Sequence, residues 1–248
     1  MHTVLLITPP FIATNTYYPA TPILLHNLKK LNVSVKQFDL SIKTINYIFS
    51  KKFLIKIFSR PPKNKNEIIM NIYRQKEKYI SIISDIIYFL KTKETGLSMF
   101  FGENINLINE LIASNQPNLP LPIIENDIWF GSFERAAYNC SKIIFDLVYY
   151  INTEIDEHFE LNKYNEKISI MADIENLEKK LAQPPSIIEN CFLKILSAKI
   201  KKTKAKYIVF TIPFPGCFFS TLRCAQYIKT KFKDIKINNA LIRYVDFD

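Results

Sequence analysis

The side chains with the greatest chemical reach in this sequence are its four cysteines, Cys140, Cys191, Cys217 and Cys224, because paired thiolates bind zinc or exchange disulfides. Their spacing is too wide for a CxxC motif, so buried, reduced thiols are expected in place of a metal or redox centre. Cys217 and Cys224 lie seven residues apart and would share one face of a helix. The three histidines are scattered, and His26, among leucines at helical spacing, reads as a satisfied or surface side chain. His158 falls in an acidic cluster with Glu154, Asp156, Glu157 and Glu160. Neighbours one or two residues apart share a helix face poorly, and a solvated turn is expected there. Ser220 has no GxSxG context and no identifiable base, so a hydrolase has no support. With Gly96, Gly102, Gly131 and Gly216 as its four glycines, the chain carries neither GxGxxG nor GxxxxGKS/T, and a close backbone approach to pyrophosphate is hard to build. Asp39 stands at a predicted strand end, where a ribose-binding carboxylate is often placed. Without the glycine fingerprint, a strand-end or helix-cap role is favoured.

At 248 residues and 48% hydrophobic content the chain can bury a real core, which argues against disorder. Its apolar runs are punctured by Lys, Asn and Asp before they reach the ~20 residues a membrane helix needs. The start, Met1-His2-Thr3-Val4-Leu5-Leu6-Ile7, lacks the basic opening and cleavage site of a signal peptide and reads as a strand. A soluble cytoplasmic protein with no membrane partner is the expectation. The net charge of +10 raises the question of nucleic acid or an anionic membrane. The positive residues are mostly Lys, spread along the chain among many Asn and Ile, as an AT-rich genome would produce. One tight run, Lys199, Lys201, Lys202, Lys204 and Lys206, sits where a helix should end, and cations there complement the helix dipole. On that reading no nucleic-acid partner is expected.

The elements that must position these residues begin with Thr3-Val4-Leu5-Leu6-Ile7-Thr8, an apolar, β-branched run stopped by Pro9-Pro10, as a buried parallel strand should be. Ile23, Leu24, Leu25, Leu28 and Leu31 recur at helical spacing, with Pro22 in a first turn and Asn32 at the end. Residues 33–40 read as a second strand, which completes a βαβ unit. The middle is helical, with Ile69, Ile72, Ile80, Ile83, Ile87 and Leu90 as core candidates and further periodicity over residues 105–112. Residues 117–122 break it with prolines. Ser132 starts a helix to about Ile151, another spans roughly residues 168–181, and Ser186 with Glu189 forms a capping-box pattern after Pro184-Pro185. Residues 207–212 revert to a buried strand, closed by Pro213-Phe214-Pro215-Gly216. A helix over about 219–231 follows, with Leu222, Ala225, Ile228 and Phe232 on one face, and residues 235–242 form a further strand. The fold class expected is α/β, a doubly wound parallel sheet built from both chain ends, residues 1–58 and 206–248, around a helical insertion over 59–205.

In such folds ligands bind beyond the C-terminal strand ends, near a topological switch point. The loops after the first and third strands, 8–18 and 213–220, would lie on one sheet edge, and both are rich in prolines and aromatics with few charges. They suit a large, flat, partly apolar ligand and not a bare phosphate. Gly216, the one glycine in these loops, would either admit a ligand or make the turn.

Two blocks carry a family resemblance. The first is Val4-Leu5-Leu6-Ile7-Thr8-Pro9-Pro10-Phe11, Tyr18-Pro19-Ala20, Pro22-Ile23-Leu24-Leu25-His26 and Val35-Lys36-Gln37-Phe38-Asp39-Leu40. The second is Ile212-Pro213-Phe214-Pro215-Gly216 with Ala225-Gln226-Tyr227-Ile228-Lys229. Together they resemble the N-terminal cobalamin-binding region of cobalamin-dependent radical SAM proteins, most closely the bacterial peptide-maturing branch. The resemblance implies a Rossmann-like domain that holds cobalamin against Thr8, Pro9, Pro10, Phe11, Tyr18, Pro213, Phe214, Pro215, Gly216 and Ser220. No CxxxCxxC is present, so no iron-sulfur cluster is expected, and there is no DxHxxG to supply a histidine to cobalt. Asn238-Asn239-Ala240 stands where the family has glycines, and Arg243-Tyr244-Val245-Asp246-Phe247-Asp248 resembles a later strand, as an internally deleted or truncated relative would show. The expectation is a cofactor-binding-type module, not catalytic alone, whose partners are a separate radical SAM catalytic subunit or a peptide substrate. The alternative is a degenerate domain without cofactor that acts as an interaction module.

Overall fold

The computed structural model describes residues 3–13, 18–103, 132–166 and 174–240. The predicted features at 15–17, 105–112, 117–122, 168–173 and 241–248 lie outside the described residues. Along the chain run β1 (Thr3–Thr8), α1 (Ala20–Lys30), β2 (Ser34–Asp39), α2 (Leu40–Ile48), α3 (Lys51–Ile57), α4 (Glu67–Arg74), α5 (Lys76–Thr92) and α6 (Thr95–Glu103). There follow α7 (Ser132–Glu154), β3 (Phe159–Glu160), β4 (Lys163–Tyr164), α8 (Ile174–Ala182), α9 (Ile187–Thr203), β5 (Tyr207–Thr211), a 3-10 turn (Pro215–Cys217), α10 (Phe218–Lys231) and β6 (Lys236–Ala240). The chain divides into two compact units, Met1–Ile45 with His158–Asp248, and Asn46–Glu157. The sheet unit therefore takes in the hairpin β3–β4, α8 and α9, because α9 is the helix that leads directly into β5.

The sheet unit is a Rossmann-like α/β fold interrupted by a helical insertion. Its four strands are all parallel, in the order β2-β1-β5-β6. β1 is central, with Leu5, Leu6 and Ile7 fully buried, as a strand covered on both faces demands. The connection from β1 leads outward to β2 and that from β5 outward to β6, so the β1/β5 seam is the topological switch point. α1 ends as its sequence suggests: Asn32 takes a left-handed φ of 57°, and the Asn32 and Val33 N–H groups donate to Lys29 O and Leu28 O. The capping box of α9 also forms, with Glu189 N–H donating to Ser186 Oγ at 3.0 Å and Ser186 N–H to Glu189 Oε2 at 2.9 Å.

The buried face of α10 differs from the leucine-centred one expected. Thr221, Cys224 and Ile228 are buried, whereas Leu222 and Ala225 are half-buried. The helix is turned by Arg223, which is itself buried. Arg223 Nε lies 3.2 Å from the Glu189 carboxylate, and its terminal nitrogens donate to Leu181 O (2.6 Å), Lys180 O (2.8 Å) and Gln226 Oε1 (2.9 Å). One guanidinium thus donates to carbonyls at the end of α8 and sets its charge beside the carboxylate that caps α9, and a planar fork of donors is the group suited to that.

The helical unit is built on similar terms. In α5 the buried stripe is Tyr79, Ile83, Ile86 and Phe89; Ile80 and Ile87 are half-buried and Leu90 is exposed. The helix is rotated from the isoleucine stripe because Tyr79 turns inward to donate its hydroxyl to buried Asp146 of α7 at 2.8 Å. Glu154, at the end of α7, accepts the backbone N–H groups of Lys63 and Asn64 at 2.8 and 2.9 Å. The acidic cluster is accordingly no simple solvated turn: Asp156 is buried, and Phe159 enters β3.

Because Arg223→Ala removes the cation beside the buried Glu189 carboxylate and the donors to three further acceptors, a loss of about 3–5 kcal/mol is expected. Urea unfolding should show a lower midpoint at an unchanged slope. Arg223→Lys is expected to recover only part of it, since an ammonium lacks the planar fork that reaches these four groups at once.

Candidate ligand site at the strand-end loops

β1 and β5 both finish in threonine, and Thr21 of the first turn of α1 reaches over the seam between them. Thr8 Oγ1 lies 3.0 Å from Thr21 Oγ1, and Thr21 Oγ1 lies 3.4 Å from Thr211 Oγ1, all three buried. The switch point is thus sealed by a chain of hydroxyls that satisfy one another, as buried polar groups must. Thr21 and Thr211 were not legible as site residues, since a lone threonine carries no spacing signal.

Beyond Pro9 and Pro10, both buried, the chain turns at Phe11, whose φ of 66° is left-handed. That conformation is costly for a bulky residue, on the order of 1–3 kcal/mol, and persists only where surroundings impose it. Here the ring stacks on Tyr164 at 5.2 Å and meets Phe159 and Phe192 edge-on at 5.9 and 6.1 Å. Ser41 then clamps the next residue, accepting from Ile12 N–H at 3.0 Å and donating to Ile12 O at 2.9 Å. Ser220 donates to Pro10 O (3.1 Å) or Cys217 O (3.0 Å), which ties the start of α10 to the β1 loop.

Gly216 is neither open to a ligand nor needed for a positive φ. A Cβ placed on it would stand 2.8 Å from Lys163 Cβ, so the missing side chain is what lets the hairpin lie against the Pro215–Cys217 turn. Lys163 is held by Glu166 at 3.0 Å and Glu160 at 3.3 Å, hydrogen bonds that raise its pKa.

Of the ten residues expected to wall a cofactor, Thr8, Pro9, Pro10, Phe11, Gly216 and Ser220 are therefore packed within the protein. The other four, Tyr18, Pro213, Phe214 and Pro215, make a rim in which Phe214 and Pro215 are exposed and Tyr18 and Pro213 half-buried, the Tyr18 hydroxyl turned inside. The Tyr18 and Phe214 ring centres are 6.3 Å apart, and Phe214 is 46% exposed. Asp39, at the same sheet edge, accepts from Ile42 N–H at 2.8 Å and caps α2; burial raises its pKa against the lowering effect of the Ile42 and Ser41 N–H groups. Cys217, beneath the rim, is pushed up to about 11 by burial, Cys140 to about 12, and Cys224 well above the ordinary value. Among the described residues no three His, Cys, Asp or Glu side chains converge as metal ligands would, and no helix is long and apolar enough to cross a membrane. Compared with family models, curated proteins and solved structures, the chain matches none.

Two measurements check this packing. Gly216→Ala must push the hairpin aside at a backbone-anchored Cβ, and a loss of about 1–3 kcal/mol in unfolding free energy is expected. Ellman's reagent near neutral pH should leave the thiols of Cys140, Cys217 and Cys224 untouched in the native chain and titrate them after denaturation, because a raised pKa suppresses the thiolate.

Proposed function

We propose that this chain is a cofactor-binding-type module, not catalytic alone, which offers one apolar face to a large planar ligand of the corrinoid class. The observation that carries the reading is the uncharged rim of Tyr18, Pro213, Phe214 and Pro215, contributed by loops on either side of the switch point. Ligands of α/β sheets bind at that edge, and flat apolar surface with a tyrosine at its margin suits a macrocycle. The rim would meet one face of such a group. A bound corrinoid would supply cobalt-centred alkyl chemistry, and the rim residues would contact and orient the ring. Completion of the site falls to a partner, and the sequence resemblance points to a separate radical SAM catalytic subunit or a peptide substrate in that place.

The second reading, an interaction module without cofactor, draws on the seating of Phe11, Gly216 and Ser220 against the chain's own hairpin and turn. Titration with hydroxocobalamin, followed by visible spectra and equilibrium dialysis, separates the two. On the first reading the chain retains chromophore, and Phe214→Asp weakens retention by about tenfold or more through the cost of a charge under an apolar ring. A native chain that retains none in large excess of cobalamin leaves the interaction module standing.

A further inference from the structure

The opposite edge of the same sheet has a different chemistry. The helical unit, Asn46–Glu157, carries thirteen basic and thirteen acidic side chains, so the whole excess of +10 falls on the sheet unit, with twenty basic against ten acidic. Within that unit the charge is gathered by topology. Helices α1, α9 and α10 all finish at the edge where the strands begin, and eleven lysines lie in their last turns and the following residues, at 29–30, 199–206 and 229–236. Asp234 is the one acidic residue in those three segments. All but Lys199 of these lysines are exposed, and among the described residues none of their ammonium groups is in an ion pair.

Dipole compensation does not account for such a number. The cap residues Leu31, Lys204 and Phe232 donate their own backbone N–H groups to Asn27 O, Ile200 O and Ile228 O. One or two cations per helix end would complement what remains. Between α9 and β6 the edge also holds a cleft of about 300 Å³. Its apolar lining is Ile200, Ala205, Phe232 and Ile235, and three exposed lysines, Lys201, Lys204 and Lys206, border it with one exposed carboxylate, Asp234.

We propose that this edge binds single-stranded nucleic acid without sequence preference, the lysines contacting phosphates while a base enters the cleft over Phe232. An apolar floor bordered by cations is the arrangement that such strands use. A concave floor does not suit a flat bilayer. No arginine stands among these cations, so forked reading of base edges is not provided for. The sequence taken alone favours a helix terminus at 199–206; what changes the balance is that the fold brings two further lysine-bearing ends to the same edge.

Fluorescence anisotropy of a labelled oligonucleotide of about sixteen mixed-sequence nucleotides, titrated with the full chain, tests this. Binding is expected at low ionic strength and should weaken steadily with salt. Replacing Lys201, Lys204 and Lys206 together by Gln should lower affinity about tenfold or more and reduce the slope of log K against log salt by roughly 2, the share of three phosphate contacts at about 0.7 each. The matched replacement of Lys51, Lys52 and Lys56 by Gln, exposed on α3, should change neither. All six are exposed, and circular dichroism confirms that each variant folds. Absence of binding at the lowest salt, equal losses in both triples, or binding to phosphatidylserine vesicles or polyglutamate as tight as to the oligonucleotide each overturns the proposal.

Discussion

Parallel pairing on both flanks of β1 forces every connection within the sheet to travel its length and return before the next strand can start. All strand-end loops are thereby delivered to one edge, and the final turns of α1, α9 and α10 to the other. The chemical difference between the two edges follows from this: proline and aromatic residues stop strands, lysines finish helices, and parallel topology sorts them apart.

At the strand-end edge the seam is closed by small means. Three threonine hydroxyls, a strained Phe11 and a glycine pressed against Lys163 occupy the place where an α/β fold more often opens. The backbone strain at Phe11 is offset by burial of its ring among Tyr164, Phe159 and Phe192, a contact that depends on the short β3–β4 hairpin. Hairpin, turn and loop therefore form one packed unit, beside which the exposed Phe214 ring lies against half-buried Tyr18.

Much of the sheet was legible because its signals are local. A β-branched run ended by prolines, an asparagine after a leucine-rich helix and a Ser–Glu capping pair each announce themselves within a few residues. The failures share a cause of a different kind. Arg223, Asp146 and Thr21 owe their positions to partners far along the chain, and in α5 and α10 a buried polar partner turned the helix away from its most aliphatic stripe. Gly216 stands out in the sequence as the one glycine of the strand-end loops, but the side chain that it makes room for, Lys163, lies in a hairpin of two-residue strands too short to leave a periodic trace. Of the candidate site, the sheet edge was readable from the two βαβ units, while the burial of six of its residues rested on long-range packing that no spacing encodes.

The sorting of charge to one sheet edge gives the sheet unit an electrical direction as well as a net charge. Near any negatively charged body a torque acts on it before contact, and the helix-end edge swings to the front. Approach is then not a random tumbling of equivalent faces: the uncharged rim is carried on the trailing side, left facing outward for whatever arrives second.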